Sequence, residues 1–151
     1  AMATLCRGIH DRWGKLDLWV HTAIHAAPLS PANFVAAKDW EKSLAVNATA
    51  PSVLIPYIAP LLGQEGQAVF FDDSRAGEKF FGTYGATKAA QMALVRSWQA
   101  ETVKTGPRVQ VLAPRPMPTG LRGRFFPGED RNALTAIQDE AARLLPQILN
   151  A

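Results

Sequence analysis

The feature that most constrains this chain is its alternation of short apolar runs with long stretches that suit a helix. Leu16-Asp17-Leu18-Trp19-Val20, Gln67-Ala68-Val69-Phe70-Phe71 and Arg108-Val109-Gln110-Val111-Leu112-Ala113 each read as a strand. The first is short, mostly apolar and preceded by Gly14, the pattern of a buried parallel strand. Strands separated by helices imply right-handed crossovers and a parallel sheet. The predicted fold is therefore α/β, a partial Rossmann-like three-layer arrangement with about three parallel strands and flanking helices. Ligands on such sheets bind outside the carboxyl ends of the strands. The residues just after Val20, Phe71 and Ala113 are thus the first places to look for chemistry.

Between and around the strands, the spacing predicts four helices. The first covers 2–13, with Met2, Leu5, Cys6 and Ile9 on one face and Gly14 as its stop. The second covers 36–62, where Pro51 and Pro56 predict a kink or two shorter helices. Residues 84–105, rich in Ala, Leu, Gln, Glu and Lys, form the third, ended by Gly106 and Pro107. The fourth covers 133–149 and is expected to break near Pro146. Residues 26–33 and 72–83 read as loops, and four prolines with three glycines predict no regular structure over 114–128.

Composition narrows the class. With 48% hydrophobic and 19% charged residues, the chain can form a core and is not a disordered one. Its 151 residues suit a single domain over 1–151. The lone Cys6 excludes an internal disulfide and points to a reducing, cytoplasmic setting. No uninterrupted apolar run reaches the roughly 20 residues of a membrane span, so no membrane role is expected. A net charge of +3 without a basic stripe gives no reason to expect nucleic acid.

The chemistry-bearing residues cluster where the topology expects them. After the second strand come Asp72-Asp73-Ser74-Arg75-Ala76-Gly77, and then Tyr84-Gly85-Ala86-Thr87-Lys88. On a helix, Tyr84 and Lys88 share a face. A phenol with a free pKa of about 10 is a poor base at neutral pH, and a nearby ammonium favours its phenolate. Ser74 can hold a carbonyl or alcohol oxygen while Tyr84 gives or takes a proton. These parts suit carbonyl–alcohol redox chemistry. Alone, Tyr-x-x-x-Lys also arises on plain amphipathic helices, so Asn47 within Leu44-Ala45-Val46-Asn47-Ala48-Thr49 and the segment after the third strand add weight.

With those residues together, the chain resembles the short-chain dehydrogenase/reductase family from about residue 16 to 122. Residues 16–24 resemble the family's fourth strand and its Asn-Asn-Ala-Gly turn. Asn47, Ser74, Tyr84 and Lys88 match its catalytic tetrad, and Pro114-Arg115-Pro116-Met117-Pro118-Thr119 resembles its nicotinamide loop. The resemblance implies NAD(P)-dependent hydride transfer between an alcohol and a carbonyl on a small-molecule substrate, with NAD or NADP as cofactor. It makes Tyr84 the acid/base, Lys88 its pKa partner and ribose ligand, and Ser74 the substrate-oxygen holder. Asn47 becomes the anchor of a relay water. Ala23, Tyr84, Lys88, Pro114, Met117 and Thr119 become cofactor contacts. It also implies a homo-oligomer through the two long helices.

Several positions depart from that pattern. The 151 residues contain no Gly-x-x-x-Gly-x-Gly or Gly-x-Gly-x-x-Gly turn to cradle a pyrophosphate. Ile24 and Arg115 stand at glycine positions, and Asp72-Asp73 precede Ser74 in place of small and hydroxyl residues. Three absent strand–helix units, about 30 residues each, predict a catalytic portion of a longer enzyme. The alternative is a non-catalytic Rossmann-like domain acting through protein association. His21 and His25 fall on a strand end and loop, a poor metal arrangement, so no metal is expected. Arg115, Arg122, Arg124 and Arg131 read as a solvated lid more than an anion clamp, and Phe80, Phe81, Phe125 and Phe126 fit a substrate wall or a core equally.

Overall fold

The computed structural model describes residues 1–73 and 75–149. Three parallel strands, β1 (Leu18–Val20), β2 (Gln67–Phe71) and β3 (Arg108–Leu112), form one sheet in the order β1-β2-β3. Leu18 pairs with Gln67, and Gln67 with Arg108, so the three strands start level with one another, and β1 stops two residues short of the ends of β2 and β3. The α/β reading and the parallel sheet hold. The strands sit where the apolar runs lie, with β1 two residues shorter at its start and β3 one shorter at its end.

The helices are α1 (Met2–Trp13), α2 (Ala37–Leu44), α3 (Ala50–Leu62), α4 (Gly82–Thr102), α5 (Gly120–Phe125) and α6 (Ile137–Leu149). The core between sheet and helices is built by Leu62, Ala68, Phe70, Met92, Val95, Trp98 and Val109. Trp19, Phe70 and Trp98 pack edge-on or tilted within it, ring centres 5.0 to 6.5 Å apart. Phe70, Val69 and Val95 are entirely buried, consistent with a central strand covered on both faces.

Two expectations are corrected and one is met in part. The 36–62 stretch holds two shorter α-helices, as one of the two expected alternatives has it, but the join is a π-helical turn, Ala45–Thr49, rather than a proline kink. Pro51 sits in the first turn of α3, where a missing N–H costs little. The loop after β3 contains the short helix α5, because its prolines flank 120–125 rather than enter it, and the Thr119 hydroxyl caps the helix by accepting from the Arg122 N–H. Helix α6 continues past Pro146 and begins at Ile137, after a 3-10 turn at Arg131–Ala133.

The continuous helical stretch Ala37–Leu62 is 26 residues long and reaches a mean hydropathy of 1.4. By length and composition alone it is apolar enough to cross a membrane, which a search for uninterrupted apolar runs overlooks. Here it packs along the sheet, burying Ser43, Asn47, Pro51, Leu61 and Leu62.

Candidate active site

The carboxyl ends of the three strands open onto a cavity of about 210 Å³. His21, Ala23 and Ile24 enter it from the loop after β1. Asp72, Asp73 and Arg75 enter after β2, Tyr84 and Lys88 from α4, and Pro114, Arg115, Met117 and Thr119 after β3. Tyr84 and Lys88 are one helical turn apart on α4, both buried. Of the predicted site residues, Ala23, Tyr84, Lys88, Pro114, Met117 and Thr119 line this one cavity. Asn47 lies behind it, and Ser74 falls outside the described residues.

The floor of the site is a closed hydrogen-bond network. Asn47 is wholly buried. Its Oδ1 accepts from the His25 backbone N–H at 2.7 Å, and its Nδ2 donates to the His25 carbonyl at 2.9 Å and to Thr87 Oγ1 at 3.0 Å. One side chain thus ties the loop after β1 to helix α4. The Asn47 carbonyl accepts from Gln91 Nε2 at 3.0 Å, and Lys88 Nζ donates to Gln91 Oε1 at 2.6 Å. An α-helical carbonyl at 47 would look for its donor at 51, and Pro51 has none. Proline and π-turn together leave that carbonyl free to face α4, an instance of a π-bulge serving a site.

This arrangement refines the expectation for Asn47. The Gln91 amide occupies the position between Lys88 and Asn47 that a relay water was expected to take. Burial lowers the Lys88 pKa to about 8, with Asp72 and Asp73 opposing that shift. The ammonium is therefore poised near neutrality.

The rim of the site is charged. Tyr84 Oη donates to Asp73 Oδ2 at 3.0 Å, while Arg75 Nε donates to Asp73 Oδ1 at 3.1 Å and Arg75 Nη1 reaches Glu78. Burial first, then the Asp73 carboxylate, push the Tyr84 phenol above its ordinary value, with Arg75 opposing. In this structure Asp73 sets the protonation of Tyr84 more than Lys88 does. Gly85 allows the close approach: a Cβ there would meet the Arg75 carbonyl oxygen at 2.6 Å, so any other residue would push Arg75 and Ala76 off α4.

Phe81 and Phe125 wall Tyr84, with Phe125 centred 4.8 Å from the Tyr84 ring and 4.9 Å from Phe81. Phe81 and Phe125 are buried in a small cluster with Ala26 and Tyr84, Phe126 packs at its margin, and Phe80 is exposed. Behind the loop after β3, Glu140 of α6 accepts from the Arg115 N–H at 2.8 Å and from Arg143. Its carboxyl is held down to about 2, chiefly by Arg143.

Comparison with known proteins then places the chain. A family profile described as enoyl-(acyl carrier protein) reductase matches residues 1–144. The chain belongs to the short-chain dehydrogenase/reductase family. It is 28% identical over 109 residues to a sorbitol dehydrogenase of Cereibacter sphaeroides, covering 69% of this chain and 42% of that protein. An oxidoreductase from Escherichia coli superposes with a TM-score of 0.86 at 25% identity, over 97% of this chain and 62% of that one. A short chain dehydrogenase from Salmonella enterica serovar Typhi gives 0.90 at 24%, with the same coverages. A chain from Escherichia coli CFT073 solved with NADPH gives 0.86 at 24%, again over 97% and 62%. The chain thus spans less than two thirds of each of these relatives.

Family wording points to Asn47, Ser74, Tyr84 and Lys88, but it misses Asp73, Gln91 and Glu140. Gln91 had a signal: it lies three residues after Lys88 and seven after Tyr84, on the same helical face. Asp73 had one too, as a carboxylate beside a hydroxyl position after a strand. Glu140, on a distant helix, had none. Among the described residues, no three His, Cys, Asp or Glu side chains gather as a metal site.

Proposed function

We propose that the protein containing this chain transfers hydride between an alcohol and a carbonyl of a small molecule, using NAD or NADP. The observation that supports this best is the convergence of Tyr84 and Lys88 in one cavity above the Asn47–Gln91 network. The cavity suits the nicotinamide end of the cofactor. It lies at the strand carboxyl ends, and it is lined by His21, whose buried Nε2 has no hydrogen-bond partner among the described residues. Ala23, Pro114, Met117 and Thr119 would bound the ring.

The cofactor would supply the hydride. Tyr84 would give its proton to the substrate oxygen during reduction and take it during oxidation. Lys88 would stabilise the phenolate and hold the ribose, Ser74 would orient the substrate oxygen, and Asn47 would fix the Lys88–Gln91 pair. Glu140, through the Arg115 N–H, would hold the nicotinamide loop in place. We further assign a cytoplasmic setting and self-association through the long helices, where Trp40, Leu44, Val53 and Tyr57 are substantially exposed.

The test is Tyr84→Phe in the full-length protein. Loss of turnover by a factor of about 1,000 or more, with NADH or NADPH binding and fold intact, is expected. Retained turnover rejects Tyr84 as the acid/base.

A further inference from the structure

We propose that Asp73 is a specificity-determining residue that selects substrates with a hydroxyl beside the reacting carbon, α-hydroxy carbonyls and their vicinal diols. The proposal rests on the dehydrogenase reading above and names its substrate class. It stands on one geometric fact: the Tyr84 hydroxyl already has an acceptor, Asp73 Oδ2 at 3.0 Å, inside the cavity where the substrate would sit.

To protonate a carbonyl, Tyr84 must turn its O–H from Asp73 to the substrate oxygen. Asp73 then loses a donor, while Arg75 holds its other oxygen at 3.1 Å. A hydroxyl on the neighbouring carbon replaces that donor. In a gauche pair, neighbouring oxygens are about 2.9 Å apart, an ordinary O–H···O spacing, which matches the Tyr84–Asp73 separation. The carbonyl oxygen can then face Tyr84 while the adjacent hydroxyl donates to Asp73. With a plain carbonyl, water takes the place of that donor, since Asp73 keeps 34% of its side-chain surface exposed, so the hydroxyl gains one charge-assisted bond over water and the discrimination is modest.

A cationic amine fits less well. Arg75 already pairs with Asp73, and Arg115 and Arg122 also line the cavity. In the reduction, the carbonyl carbon gains hydride from a dihydronicotinamide and its oxygen gains the Tyr84 proton. The products are the vicinal diol, oxidised nicotinamide and a phenolate that solvent reprotonates. The charged groups acting on Tyr84 are Asp72, Asp73 and Arg75, all from the segment after β2. Ala26 and Phe125 meet it from the other elements.

The test uses two readouts on the full-length protein. Hydroxyacetone and acetone share a skeleton, and the wild type should favour hydroxyacetone in kcat/KM by about tenfold. Asp73→Ala should bring that ratio close to one, and Asp73→Asn, which keeps an acceptor, should leave it between. The second readout is the tyrosinate absorbance of Tyr84, taken as the difference from Tyr84→Phe. Tyr84 should ionise at lower pH in Asp73→Asn, and at lower pH when hydroxyacetone, but not acetone, is added. Equal use of both ketones overturns the selection while the dehydrogenase reading stands. Reduction of neither ketone with the hydroxyacetone-dependent tyrosinate shift intact overturns the dehydrogenase reading and leaves Asp73 recognition standing. A ratio unmoved by Asp73→Ala, or no tyrosinate response at all, overturns the proposal.

Discussion

The two walls of the cavity are built on different physics. Beneath Tyr84, Asn47, Thr87, Lys88 and Gln91 are all buried and bonded to one another or to backbone. At the rim, Asp73, Arg75, Arg122 and Glu129 keep between 18% and 34% of their side-chain surface in solvent and interact as ion pairs. The floor holds Asn47 and Lys88, at positions that resemble the family's tetrad, and the rim holds Asp73, at a position that departs from the family wording. A buried network tolerates no unpaired member, so its residues constrain one another. Half-exposed ion pairs cost little to exchange, so the rim is where specificity can change without loss of the fold.

The comparison predicts its largest stability effect at Asn47. Asn47→Ala strips the partners from the buried N–H and C=O of His25 and one partner from Thr87. A loss of about 3 kcal/mol is expected, at roughly 1–3 kcal/mol for each orphaned group. Urea unfolding measures it. A loss under 1 kcal/mol would show that the floor is not the cooperative unit described.

Lys88 tests the same floor through pH. Its folded pKa of about 8 lies below the 10.5 of an unperturbed lysine, so between those values the unfolded chain binds more protons than the folded one. Stability must then rise with pH across that window, by on the order of 3 kcal/mol in full. Tyr84, held protonated in the fold, opposes this above about pH 10, where an unfolded tyrosine ionises. Stability measured from pH 7.5 to 9.5 should climb in the wild type and climb less in Lys88→Met. Parallel curves for the two would mean that the ammonium reaches solvent.

The same division governs what was legible in the sequence. The strands are legible as short apolar runs between helical stretches, most clearly β2, which is buried along most of its length. The spacing of Tyr84 and Lys88 carries chemistry of its own, whereas the role of Asn47 comes from the family resemblance. Pro51 and Pro56 announce a kink or two shorter helices in 36–62, but no sequence pattern shows that Pro51 leaves the Asn47 carbonyl for Gln91, a partner 44 residues away. Helix α5 was missed because proline and glycine were counted over 114–128 as a whole, without noting that 120–125 holds no proline and follows a capping threonine. The Tyr84–Asp73 bond depends on how closely a loop approaches a helix at Gly85, which only coordinates reveal.

The smallest expected effect lies at the rim. Arg122 Nε and Nη2 grip the two oxygens of Glu129 at 2.7 and 2.6 Å, a bidentate pair that straps α5 to the turn following it. The guanidinium also lies over the Phe126 ring at 4.3 Å. Distances this short would suggest a strong interaction if solvent were absent. Both partners are nevertheless reached by water, and screening leaves such pairs at roughly 0.5–1 kcal/mol. Arg122→Gln should therefore lower stability by no more than about 1 kcal/mol, and the loss should shrink in 1 M salt. Removing Glu129 as well, in a double-mutant cycle, separates the ion pair from the contact with Phe126. A coupling above 2 kcal/mol would place Arg122 with the buried floor, and the rim would then be a structural element in its own right.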